Sequence, residues 1–208
     1  VITTSFKAQA ESVVSEVVKA DYQISAAQVF VSPGIPTGLS DELLALDEVT
    51  KLSRSRATIV GFEDRPLILG AVDEDIFDLI KTENIAGSKE EFLKPNAMGV
   101  LKQKAERDNL GIGDEIILTI PEEGKRTFTI EYIFDWTTPP PAEFFLLLEN
   151  YSFFSEESLD TEIYFNVKEK NESTQAKLDQ IVSDYPGAKL RDQDGLVEEA
   201  NTQIQQLL

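Results

Sequence analysis

The chain has 208 residues, 41% apolar and 27% charged, with 19 Lys and Arg against 38 Asp and Glu, and it contains no Cys and no His. Such a length and apolar fraction suit one globular domain or two small ones, and exclude disorder, collagen and a disulfide mini-scaffold as whole-chain readings. The missing residue types exclude a papain-like thiol, a Ser-His-Asp triad and Cys/His zinc or haem sites, which leaves carboxylate, Lys, Tyr and Ser/Thr chemistry. A formal charge of −19 repels a phosphate backbone, and Lys51, Arg54 and Arg56 or Lys102, Lys104 and Arg107 are too few for a binding stripe, so nucleic acid is not an expected partner.

Apolar residues recur at helical spacing from Phe6 through Ala10, Val13, Val14, Val17 and Val18, with Lys7, Glu11 and Glu16 between them, and this pattern predicts an amphipathic helix. Residues 21–31 have strand-like density, and Ser32-Pro33-Gly34-Ile35-Pro36 breaks regular structure. Ser40 is expected to cap a short helix, with Asp41 and Glu42 in its first turn and Leu43, Leu44 and Leu46 on its buried side. Residues 49–62 and 67–72 read as strands joined by Glu63-Asp64-Arg65-Pro66, able to pair as a hairpin. Residues 73–94 mix a helical piece with Gly87 and a charged patch and read as a loosely structured excursion.

Val100 and Leu101 begin a short strand running into a helix expected to stop at Gly111 and Gly113. The firmest local signal is a hairpin of 115–120 and 127–134 across Pro121-Glu122-Glu123-Gly124-Lys125. After the stiff loop 136–142, Phe144 to Leu148 reads as a buried strand and Tyr151 to Glu157 as helical. A strand at 162–167, a helix capped by Ser173 and ended by Pro186-Gly187, and a strand at 188–191 follow. Leu196, Val197, Ala200, Ile204, Leu207 and Leu208 then form the stripe of a closing helix.

The chain opens at Val1 with no initiator Met and no signal-peptide pattern, and no stretch approaches the roughly 20 apolar residues of a membrane span, so a soluble, excised fragment is expected. Amphipathic helices at both termini fit a water-soluble insert between two membrane spans. They equally fit surface helices of a complete domain, and the residues alone leave both readings open.

The stretch Ala97-Met-Gly-Val-Leu101, the helix to Leu110, Gly111-Ile112-Gly113-Asp114-Glu115-Ile116, and then Arg126-Thr-Phe-Thr-Ile-Glu-Tyr-Ile133 resemble the extracytoplasmic core domain of MacB-like and FtsX-like ABC transporter permeases. Glu131-Tyr132 replaces the Val-Gly usual in that family. Ile163 to Val167, Tyr185 to Gln193, the closing Asn201 to Leu208 and the opening Phe6 to Ala10 are also similar to it, so the resemblance covers nearly the whole chain.

The resemblance implies an α+β fold. A porter-like α/β half, residues 1–62 and 159–208, would hold two strand-helix-strand units, and a smaller β-rich, Sabre-like insert would occupy 63–158. It further implies a non-catalytic domain without a cofactor at the extracytoplasmic face of a bacterial cell membrane. Its expected partners are a cytoplasmic ATPase subunit and a second permease as dimer mate, with flanking spans joining it to the membrane. Phe6, Val13, Val17, Ala200, Ile204 and Leu207 become the candidate membrane-coupling residues.

Other chemistry is weaker. Asp192-Gln193-Asp194-Gly195 lacks carboxylates where a calcium loop needs them, at Leu190 and Asn201, and reads as a turn favouring the start of the closing helix. Gly111-Ile112-Gly113 follows a helix and precedes a strand, the reverse of a phosphate loop. Trp136, Pro140 and Phe144 form a candidate partner-binding edge, with a Trp packed over the end of the sheet as the other reading. That edge supports an alternative function, a stand-alone acidic protein-binding module at the cell surface.

Overall fold

The computed structural model describes residues 2–26, 34–137, 142–154 and 159–206. In chain order the elements are α1 (Ile2–Val17), β1 (Tyr22–Ala26), α2 (Thr37–Leu44), β2 (Val49–Phe62), β3 (Arg65–Val72), α3 (Ile76–Leu79), β4 (Thr82–Gly87), α4 (Lys89–Phe92) and β5 (Ala97–Leu101). There follow α5 (Lys102–Asp108), β6 (Glu115–Ile120), β7 (Gly124–Trp136), β8 (Phe144–Leu147), two short 3-10 turns, β9 (Asp160–Val167), α6 (Glu172–Ser183), β10 (Ala188–Asp192) and α7 (Gln193–Gln206). They fall into two compact units, one of Val1–Ser53, Asp75–Lys81 and Glu162–Leu208, the other of Arg54–Glu74 and Thr82–Thr161.

The first unit contains β1-α2-β2 and β9-α6-β10, the two strand-helix-strand units expected from the sequence. Its strands lie in the order β10-β1-β9-β2, with β1 antiparallel to both of its neighbours. Each strand-helix-strand unit thus has a strand of the other between its own two, the interleaved order of a ferredoxin-like split βαβ fold. Tyr22, Ile24, Ile163 and Phe165 line one sheet face, and Leu39 and Leu43 of α2 with Leu178 and Val182 of α6 close over them. Ile24, Ile163, Leu39 and Leu178 are fully buried, each stabilising the fold by about 1.5–3 kcal/mol before entropy is counted.

In the second unit β2, β3, β8, β5, β7 and β6 pair in succession, and the bridge Gly61↔Thr119 joins β6 back to β2, closing the circuit. β4 adds to the side of β7, with a bulge between Asn84 and Ala86. The interior holds Val60, Leu69, Met98, Leu118, Phe128 and Phe144, among others. Inside the same unit, Arg56 on β2 donates from Nε to Asp160 Oδ1 at 2.9 Å and from Nη1 to the Phe154 carbonyl at 2.5 Å.

Four local expectations are corrected. The α2 N-cap is Pro36, while Ser40 lies inside the helix, fully buried. The α6 N-cap is Asn171, whose side chain accepts from the Thr174 amide at 2.9 Å, two residues before Ser173. The left-handed residue ending α5 is Asn109, with φ of 53°, because its short polar side chain tolerates that region. Residues 73–94 are no loose excursion: they form α3, β4 and α4 and carry Ile76, Leu79, Ile80 and Phe92 fully buried. The segment Asp75–Lys81 returns to the first unit, so that unit is built from three stretches of chain, and β2 passes between units after Ser53.

Candidate functional site

No helix among the described residues is long and apolar enough to cross a membrane. The terminal helices of the first unit, α1 and α7, pack against each other. Ala10, Val14 and Val17 of α1 are buried, whereas Leu196, Val197 and Ala200 of α7 are half-buried. Gln193, at the start of α7, donates from Nε2 to the carbonyls of Val18 at 3.4 Å and Ala20 at 3.0 Å, just past the end of α1. One turn and more further on, Glu11 of α1 shares a crevice of about 490 Å³ with Val197 and Asn201 of α7. The helices therefore run antiparallel, and residues 2 and 206 leave at the same end of the pair.

The other end of α1 is held by backbone. The Leu79 carbonyl accepts the amides of Lys19 and Ala20, each at 2.9 Å, and the Val17 carbonyl accepts the Lys81 amide at 2.8 Å. Lys51 pairs with Asp75 at 3.3 Å and with Asp78 at 2.5 Å across α3. At α7, Asp192 Oδ1 accepts the Gly195 amide at 2.8 Å, the turn that the Asp-Gln-Asp-Gly run predicts.

The sheet face turned toward α7 is polar. Arg191 donates from Nη1 to Ser25 Oγ at 2.6 Å and from Nε to Glu199 of α7. Tyr164 donates to Glu162 Oε2 at 3.1 Å and accepts from Gln23 Nε2 at 3.3 Å. Desolvation pushes the Glu162 carboxyl up, against the Tyr164 hydrogen bond and the Arg191 charge, and pushes the Tyr164 phenol well up. Sequence reading missed this cluster because its members are distant along the chain and meet only through strand pairing.

Of the expected coupling residues, Val17 is buried and Ala200 half-buried in the helix pair, while the side chains of Phe6, Val13 and Ile204, and Leu207 as a whole, lie outside the described residues. The expected recognition edge is corrected. Trp136 is 2% exposed and packs on Phe145 at 5.7 Å between ring centroids, and Phe144 is fully buried, so neither ring offers a surface to a partner. Pro140 lies outside the described residues. Among the described residues the buried Trp136 indole N–H has no hydrogen-bond acceptor.

The fold is that of the extracytoplasmic domains of MacB-like ABC transporter permeases. The periplasmic region of MacB from Actinobacillus actinomycetemcomitans matches with a TM-score of 0.60 at 10% identity, over 89% of this chain and 94% of that one. A domain of a putative permease protein from Porphyromonas gingivalis matches with a TM-score of 0.53 at 16% identity, over 83% and 90%. The extracellular domain of the ABC-type transporter YknZ from Gram-positive bacteria matches with a TM-score of 0.51 at 9% identity, over 85% and 100%. At these identities the likeness establishes the fold. No protein-family model matches the sequence, and no curated protein sequence does.

Proposed function

We propose that the chain is the non-catalytic extracytoplasmic domain of an ABC transporter permease subunit in a bacterial cell membrane. A separate cytoplasmic ATPase subunit hydrolyses ATP, flanking membrane spans receive that work, and α1 and α7 carry the motion into the domain. The domain acts outside the membrane, exporting or extracting a substrate or regulating a partner, and works as a dimer with a second permease. The observation that carries the reading is the antiparallel pairing of α1 and α7, which brings residues 2 and 206 to one end of the helix pair. An insert between two adjacent spans needs that geometry, and the shared fold supports it.

Motion entering through the helix pair reaches the sheet through Arg191 to Glu199 and through the Gln193 contacts, so the first unit moves with its helices as a rigid body. Ala200→Pro in the intact transporter tests this, because Pro inside a helix removes one backbone hydrogen bond and costs about 3 kcal/mol. The expected result is lost transport with ATP hydrolysis retained and the isolated domain still folded. Unchanged transport in that variant would refute the coupling role.

A further inference from the structure

β10 ends the sheet of the first unit, and among the described residues no strand pairs with its outer edge. Leu190 and Asp192 stand beside Ile24 and Tyr22 on the sheet face covered by α6, while Lys189 and Arg191 stand beside Ser25 and Gln23 on the α7 face. The Ala188 amide donates to the Tyr185 carbonyl at 2.8 Å and not into the ladder. By the alternation of an antiparallel pair, the backbone groups of Leu190 and Asp192 then point outward, the Ala188 amide being taken by Tyr185.

Along this edge runs a groove of about 650 Å³, floored by β10 and flanked by Gln175 of α6 and by Glu198 and Thr202 of α7. Its charge is not balanced. The Arg191 guanidinium is engaged by Glu199 and Ser25, and Lys189 Nζ lies 4.0 Å from the same Glu199. Asp192, Glu198 and Glu199 outnumber Lys189 and Arg191 along the lining, which leaves a small negative excess, and Asp179 lies beside Gln175 on α6. Burial first, then Asp192, Asp21 and Asp179, push the Tyr22 hydroxyl up, in keeping with a negative field on the α6 side.

We propose that this groove takes an extended, basic peptide segment of a partner protein, which adds to β10 as a further strand. Outward backbone groups of β10 supply the pairing, and Leu190 and Asp192, which share a face, select an apolar and a cationic side chain two residues apart on the added strand. The net charge of −19 steers such a segment inward. A second copy of this chain is disfavoured as occupant, because β10 against β10 would bring the carboxylates of two such acidic grooves together. The inference does not depend on the transport reading.

The probes are a short acetylated peptide repeating Thr-Val-Thr-Lys, which sets Val and Lys two residues apart on one face (the Val-Lys peptide), its counterpart with Glu for Lys (the Val-Glu peptide), and the Val-Lys peptide N-methylated on alternate residues, each titrated into the full chain. The Val-Lys peptide should bind and slow exchange of the Leu190 amide about tenfold, while the Val-Glu and N-methylated peptides should not. Glu198→Lys, at an exposed side chain, should weaken Val-Lys binding about tenfold. Equal binding of the N-methylated peptide, protection confined to other strands, or self-association of the chain through β10 would overturn the proposal. Because the N-methylated control uses the unmutated chain, the test does not rest on the folding of a variant.

Discussion

Replacing Asp160 by Ala should be the most damaging single change in the second unit. The Arg56 side chain is 6% exposed and Asp160 fully buried, with 2.9 Å between Nε and Oδ1. Removing the carboxylate breaks a buried ion pair, which costs about 3–5 kcal/mol. Ser55 and Thr161, whose hydroxyls lie 2.8 Å apart, are the strand neighbours of the pair and so point to the other face of the sheet, where they cannot replace the carboxylate. With a urea m-value of about 1.5–2 kcal/mol/M for a unit of this size, the midpoint should fall by about 2 M. Trp136, the single Trp of the chain, is buried in that unit, so its fluorescence reports the transition. The double change Arg56→Met with Asp160→Leu removes both charges together and should recover most of the loss. A midpoint shift under about 0.5 M for Asp160→Ala would refute the reasoning.

The raised Glu162 carboxyl fixes the sign of a pH effect. Protonation is favoured in the folded state, so the contribution of this group is full below the unfolded value near 4.5 and is lost as pH rises through the higher folded value. Glu162→Gln should therefore raise Tm at neutral pH and leave it nearly unchanged in acid, and a lower Tm at neutral pH would contradict this. In the β2–β3 hairpin, Phe62 pairs with Arg65 and the loop residues Glu63 and Asp64 have φ of 49° and 59°. Asn-Gly at those two positions should stabilise the chain by about 1 kcal/mol, read as a higher urea midpoint. Gly87 has φ of 72° and a Cβ there would lie 2.1 Å from the Glu131 carbonyl oxygen, so Gly87→Ala should destabilise the second unit by about 3 kcal/mol in the same assay.

What could be read in advance follows the range of the interactions involved. The β6–β7 hairpin, the two strand-helix-strand units and the terminal helices are encoded by periodicity within short windows, and they stand where that periodicity puts them. The segment 73–94 escaped because α3 and α4 span only four residues each, too few for a helical period, and because the partners of α3 lie some sixty residues earlier, at Val17 to Ala20. Trp136 is expected to open the stiff loop 136–142, yet β7 runs on to include it and pairs it with Thr82. The α6 cap shifted because Asn171 competes with Ser173 and composition favours either, whereas α2 starts after Pro36 with no side-chain cap, ahead of Ser40. The β10 groove and the Glu162 cluster depend on the strand order β10-β1-β9-β2, which no local pattern specifies.

The central claim, that this domain sits outside a membrane between two spans, is tested most directly by reading the encoding gene across both ends of the chain. The account predicts a run of about 20 apolar residues shortly before Val1 and another shortly after Leu208, each able to extend α1 or α7 into a membrane helix. Polar flanking sequence or stop codons at both ends would contradict it.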